Sequence, residues 1–153
     1  CRGHLCLYDA ERRLLVSGDQ VLPTISPNVS VLSSAPDADP LRQFLASIER
    51  LRACAPDTLV LPSHGRPFRG LHKRIGQLQA HHRERLADVM NACATAPRCA
   101  AELLPLLFKR KLDLHQTTFA MGEAVAHLHA LWHGGQLARS GDRDGVWRFS
   151  AAR

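Results

Sequence analysis

Apolar residues fall into two regimes along this chain. Through residue 70 short runs separated by polar or proline-rich breaks dominate, with one helical stripe among them, and beyond it helical spacing dominates up to a closing hairpin. His4-Leu5-Cys6-Leu7-Tyr8 is a short apolar run, and Asp9-Ala10-Glu11-Arg12-Arg13 is a polar break before Leu14-Leu15-Val16. That order predicts strand, turn, strand, and so a hairpin. The second run stops abruptly in Ser17-Gly18-Asp19-Gln20. Residues 21–27 carry two prolines, and Val29-Ser30-Val31-Leu32 predicts a short strand returning from an irregular loop. Asp39 then stands as an N-cap before Pro40, and Leu41, Phe44, Leu45, Ile48 and Leu51 follow on one face. This predicts a helix of about 15 residues packed on the sheet. Ala55-Pro56-Asp57 ends it, and Thr58-Leu59-Val60-Leu61 is the next strand, leading into Pro62-Ser63-His64-Gly65.

The second regime begins after Arg69-Gly70. Residues 71–93 read as one long amphipathic helix with Ile75, Leu78, His82, Leu86, Val89 and Cys93 along a stripe. Thr95-Ala96-Pro97 stops it. Residues 100–108 make a short helix around Leu103, Leu104 and Leu107. Residues 115–133 form a third helix that buries Met121, Ala124, Val125, Leu128, Leu131 and Trp132 and ends at Gly134-Gly135. Leu137-Ala138-Arg139, a turn from Gly141 to Gly145, and Val146-Trp147-Arg148-Phe149 complete a hairpin. Three helices and a hairpin make a winged-helix-like domain.

At 153 residues and 45% apolar content the chain can bury a core of one or two small domains. No apolar run approaches the roughly 20 residues that span a bilayer, and the N-terminal residues lack a signal-peptide layout, so no membrane and a cytoplasmic location are expected. Five cysteines without a C-x-x-C pair argue against a disulfide framework or a cysteine zinc site, and they read as buried small hydrophobes. The net charge of +6 is C-terminal in origin: residues 1–70 hold eight Lys/Arg against seven Asp/Glu, residues 71–153 twelve against seven. A solvated Arg-rich surface is the first reading of that excess, and a nucleic-acid surface the second.

Chemistry concentrates where apolar runs end. Asp19 follows one run and His64 another, and each lies beside a glycine, as His4 does in Gly3-His4. A strand that delivers a carboxylate to the edge of a sheet is a common way to build a metal or catalytic site. A Ser17-His64-Asp19 triad is discounted, because Ser17 and Asp19 are too close in sequence and nothing activates Ser17. His129 and His133 are spaced to share a metal and His72, His81 and His82 add to a histidine-rich second half, but no carboxylate or cysteine keeps them company. His82 falls on an apolar stripe and reads as a core histidine.

Taken together, Gly3-His4, the run to Asp19 and Pro62-Ser63-His64-Gly65 resemble the second half of the metallo-β-lactamase fold hydrolase superfamily, which includes glyoxalase II-like thioester hydrolases and β-lactamase-like nucleases. The resemblance implies an α+β fold: residues 1–70 as the C-terminal part of an αββα sandwich, then residues 71–153 as the winged-helix-like extension. It implies two zinc ions in the complete hydrolase, with Asp19 bridging them and orienting the attacking hydroxide, His64 as the last ligand, and His4 pinning the loop beside them. The family's H-x-H-x-D-H motif occurs nowhere in the sequence. With two ligands the chain is therefore expected to hold metal weakly and to be inactive alone. The implied substrate is a small ester, thioester or phosphoester, and an uncovered half-sandwich is expected to self-associate. The alternative is a nucleic-acid-binding winged-helix module or a nuclease-like protein, with weak nucleic-acid binding. Residues 115–134 offer no Lys or Arg and only Gln116 near the helix start, so a lid role for the basic region is expected over base recognition.

Overall fold

The computed structural model describes residues 4–152. Cys1, Arg2 and Gly3, which include the start of the Gly-His pair, and Arg153 lie outside them. The chain forms two compact units: Cys1–Pro27 with Phe44–His81, and Asn28–Gln43 with His82–Arg153.

In the first unit the predicted hairpin forms, with β1 (Leu7–Asp9) antiparallel to β2 (Leu14–Gly18). Strand β3 (Leu59–Pro62) adds to β2 in parallel, giving the order β1-β2-β3. Alternation sorts the side chains: Leu15 and Val60 are fully buried, whereas Leu7 and Val16, paired across the strands, face outward. Helix α1 (Pro40–Arg50), whose residues through Gln43 belong to the second unit and from Phe44 to the first, runs on into a single 3-10 turn, Leu51–Ala53. Of the predicted face, Leu41, Phe44 and Ile48 are buried, while Leu45 and Leu51 are only half-buried. Its aspartate cap is present, Asp39 Oδ1 accepting from Arg42 N at 3.1 Å. Helix α2 (Leu71–Thr95) opens with Arg74, whose guanidinium donates to the carbonyls of Leu22 (2.6 Å) and Ile25 (2.8 Å) and so ties down the proline-bearing loop.

The second unit contains the later part of α2, then α3 (Ala100–Leu107), α4 (Leu114–His133) and the hairpin β4 (Leu137–Gly141) and β5 (Trp147–Ala151). Val89, Cys93, Leu103, Leu107, Ala124, Leu128, Leu131, Leu137 and Phe149 interlock as its core. Asp113 and Gln116 cap α4 reciprocally, with Gln116 N donating to Asp113 Oδ1 at 2.7 Å. Arg98, between α2 and α3, exchanges two backbone bonds with Phe149 (2.9 and 2.8 Å).

Three expectations need correction. Val29-Ser30-Val31-Leu32 is not a strand: it lies along α4, Val31 N donating to the Gly122 carbonyl at 3.3 Å, and a Cβ on Gly122 would come within 2.7 Å of Ser30. The buried face of α4 also differs from the expected one. Ala120, Ala126, His127 and His129 are buried, while Met121, Val125 and Trp132 are only half-buried. Of the cysteines described, Cys54 and Cys93 are buried as expected, but Cys6 and Cys99 are only partly so; all four are free thiols. No helix among the described residues is long and apolar enough to cross a membrane.

Candidate metal centre

Strand direction brings the sequence-predicted site residues together. Because β2 and β3 are parallel neighbours, the loops leaving them emerge at one end of the sheet, and these loops carry Asp19 and His64. Since β1 is antiparallel to β2, His4, just before β1, starts at that same end. The pairing of β2 with β3 slips at Ser17, from Val16 opposite Leu61 to Gly18 opposite Pro62. Such a bulge re-aims the chain that follows it. The Ser17 carbonyl then accepts from Gln20 N (3.0 Å) and bonds His4 Nε2 (2.9 Å), which closes a tight turn around Asp19. Gly18 sits at φ +52°, and a Cβ there would lie 2.5 Å from His4 Nε2, so glycine is what lets the His4 ring rest on this backbone.

Asp19 and His64 are solvent-exposed neighbours, with Asp19 Oδ1 3.6 Å from His64 Nε2. Ser63 reaches the same turn twice: its backbone N–H donates to the Gly18 carbonyl at 3.1 Å, and its hydroxyl donates to Asp19 Oδ1. Ser17 is fully buried and its hydroxyl donates to the Val21 carbonyl at 3.0 Å, so it is not placed to act as a nucleophile. A carboxylate and an imidazole side by side are a hard-oxygen, borderline-nitrogen donor set suited to zinc. Among the described residues no third His, Cys, Asp or Glu comes close enough to share an ion with both of them. The pair therefore fits as part of a metal site, to which further ligands would have to be added.

The histidines of the second unit serve other contacts. His129 Nδ1 donates to the Ala38 carbonyl (3.0 Å) and His133 Nε2 to that of Asp37 (2.9 Å), and among the described residues neither belongs to a group of three or more potential metal ligands. Burial pushes the His129 pKa down. Arg139 lies between the rings of Trp132 (3.7 Å) and Trp147 (4.4 Å) and pairs with Asp37 at 2.6 Å. His82 is fully buried, as its place on the stripe predicts, with Nδ1 3.2 Å from His127 Nε2. His127 in turn donates from Nδ1 to the Glu123 carbonyl at 2.8 Å. Burial raises the Glu123 carboxyl to about 7, against the pull of Arg85.

Residues 86–152 match the family model described as the metallo-β-lactamase-like C-terminal domain. A solved β-lactamase domain protein from Burkholderia ambifaria is 53% identical with a TM-score of 0.94, over 96% of this chain and 44% of that one. The chain belongs to the metallo-β-lactamase fold, in its C-terminal part. A metallo-β-lactamase family protein from Thermus thermophilus is 31% identical with a TM-score of 0.80, over 97% of this chain and 45% of that one. The chain thus spans less than half the length of both metallo-β-lactamase-fold relatives. No curated protein matches it by sequence. The matched family domain runs from the later part of α2 to the end of β5, the stretch whose helical spacing set it apart from residues 1–70. Two residues of the candidate site are legible in the sequence only as neighbours of Asp19 and His64. Ser63 was only a neighbour of His64 in a motif, and Gly18 only a neighbour of Asp19. A glycine between a strand and a carboxylate was the one signal available for the second.

Proposed function

We propose that this part of the metallo-β-lactamase fold contributes Asp19 and His64 to a two-zinc centre of a hydrolase acting on small esters, thioesters or phosphoesters. The observation that carries the reading is the 3.6 Å approach of Asp19 Oδ1 to His64 Nε2 at the shared end of two parallel strands. Zinc, when bound, supplies Lewis-acid polarisation and a lowered pKa for water. The rest falls to the protein's own groups. His64 presents a ring nitrogen from a loop anchored by β3. Asp19 presents its carboxylate beside it, both as ligand and as acceptor for a proton of the attacking water. His4 pins the turn by packing on Gly18 and bonding the Ser17 carbonyl. Two donors leave a zinc ion mostly hydrated, so this chain alone is expected to be inactive and to bind zinc weakly. Nothing favours the nucleic-acid alternative, and α4 has no Lys or Arg along its length.

The test is a zinc titration of the chain followed by amide NMR. Shifts confined to the amides around Asp19 and His64, and abolished in Asp19→Asn, support the reading. Saturating zinc that leaves those amides unmoved would overturn it.

A further inference from the structure

Resting on the metal reading above, we propose that Ser63 is a positioning residue that fixes the Asp19 carboxylate for metal binding, so that one dipeptide, Ser63-His64, supplies a ligand and aims its partner. An exposed aspartate in a turn samples several rotamers, and a ligand that must first be ordered binds more weakly. Asp19 is exposed, yet its Oδ1 accepts from the Ser63 hydroxyl on the side where His64 Nε2 lies. Ser63 can hold that hydroxyl in place because its own N–H is bonded to the carbonyl of Gly18, the residue before Asp19. The backbone bond sets the distance between the two loops and the side-chain bond sets the carboxylate. The Oδ1 so held is also the oxygen that lies 3.6 Å from His64 Nε2, and a carboxylate oxygen that accepts one hydrogen bond keeps a second lone pair for a cation. The chemistry served is that of a divalent ion taking nitrogen and oxygen donors.

A purely structural serine would tie the loops together and do nothing for the carboxylate. Ser63→Ala separates the two roles, because it keeps the backbone bond to Gly18 and removes only the hydroxyl; Ser63→Thr restores it. Two readouts apply to the intact chain: the Asp19 Hα–Hβ couplings, which report its rotamers without metal, and zinc affinity from amide shifts. Ser63→Ala is expected to average the Asp19 rotamers and weaken zinc binding about 10-fold, with Thr recovering both and thermal stability unchanged. Asp19→Asn separates failure of the positioning role from failure of the metal reading. If Asp19→Asn leaves zinc binding intact, the metal reading falls and this inference with it. If Asp19→Asn abolishes binding while Ser63→Ala changes neither couplings nor affinity, the positioning role alone is refuted. A Ser63→Ala variant that loses thermal stability, with the Asp19 couplings unmoved, refutes it equally.

Discussion

Gly18→Ala is the substitution that most directly probes how the Asp19 turn is held. Two costs add. At φ +52° an L-residue enters the left-handed region, at about 1–2 kcal/mol. The new Cβ would also stand 2.5 Å from His4 Nε2 and 2.7 Å from Cε1. His4 is exposed and its ring can swing away, so the clash is relieved by giving up the 2.9 Å bond to the Ser17 carbonyl, worth roughly 0.5–1.5 kcal/mol. The sum is about 1.5–3.5 kcal/mol, felt locally. Amide exchange at Gln20 and Ser63 is the suitable assay, because those N–H groups bond the carbonyls of Ser17 and Gly18 and open when the turn does. A double-mutant cycle sharpens it: with His4→Ala already in place, only the backbone cost should remain, leaving a coupling of about 1 kcal/mol. Equal cost in both backgrounds, or exchange at Gln20 and Ser63 unchanged in Gly18→Ala, would refute the account.

Three further outcomes are expected. The Glu123 carboxyl, raised by burial to about 7 from 4.5, keeps its proton in the folded chain over a range where the unfolded chain has lost it, so stability falls as pH rises from about 4.5 to about 7 and then levels. Glu123→Gln should remove that fall, worth about 3 kcal/mol, and urea midpoints at pH 5 and pH 8 measure it. Leu128→Ala, at a fully buried position in the second unit's core, should cost about 3 kcal/mol by thermal or urea unfolding. Leu5, Leu7 and Val16 are exposed apolar residues on the β1–β2 hairpin and its lead-in, so the chain should self-associate, and Leu7→Lys should shift the mass seen by light scattering toward the monomer. A monodisperse wild-type monomer at high concentration would contradict this.

Much of the fold could be read where one physical rule dominated. The α2 stripe from Ile75 to Cys93 is plain because one face repeats at constant spacing, and His82 lies buried on it despite being polar. The apolar runs before Asp19 and His64 located both residues of the candidate site, because a sheet edge and a glycine leave a clear mark in sequence. The failures arose where tertiary contact decided. Val29-Ser30-Val31-Leu32 has strand composition, but its place is set by Gly122 on a helix 90 residues later, and spacing cannot reveal that. The burial of His129 has the same source, since its partner is the carbonyl of Ala38, 91 residues earlier, which carries no side-chain signature. Ser63 is invisible in the sequence as a contact to Asp19 because the two, 44 positions apart, are brought together only by the parallel pairing of β2 and β3.

The short connection between α2 and α3 also bears on where this chain can be altered by insertion. Arg98 bonds Phe149 in both directions and so acts as a one-residue third strand along the open side of β5. That leaves less free edge for a foreign strand to template on. It also means that four residues, 96–99, must both turn the chain and keep register with a hairpin fifty residues away. Extra residues there would unpair the edge before they disturbed either helix. The hairpin's own tip is different: Asp142 organises it from within, accepting from the N–H groups of Asp144 and Val146, each at 2.9 Å. An affinity tag or reporter loop placed beyond Asp142 would cost one local turn, whereas the same graft at residues 96–99 would expose a sheet.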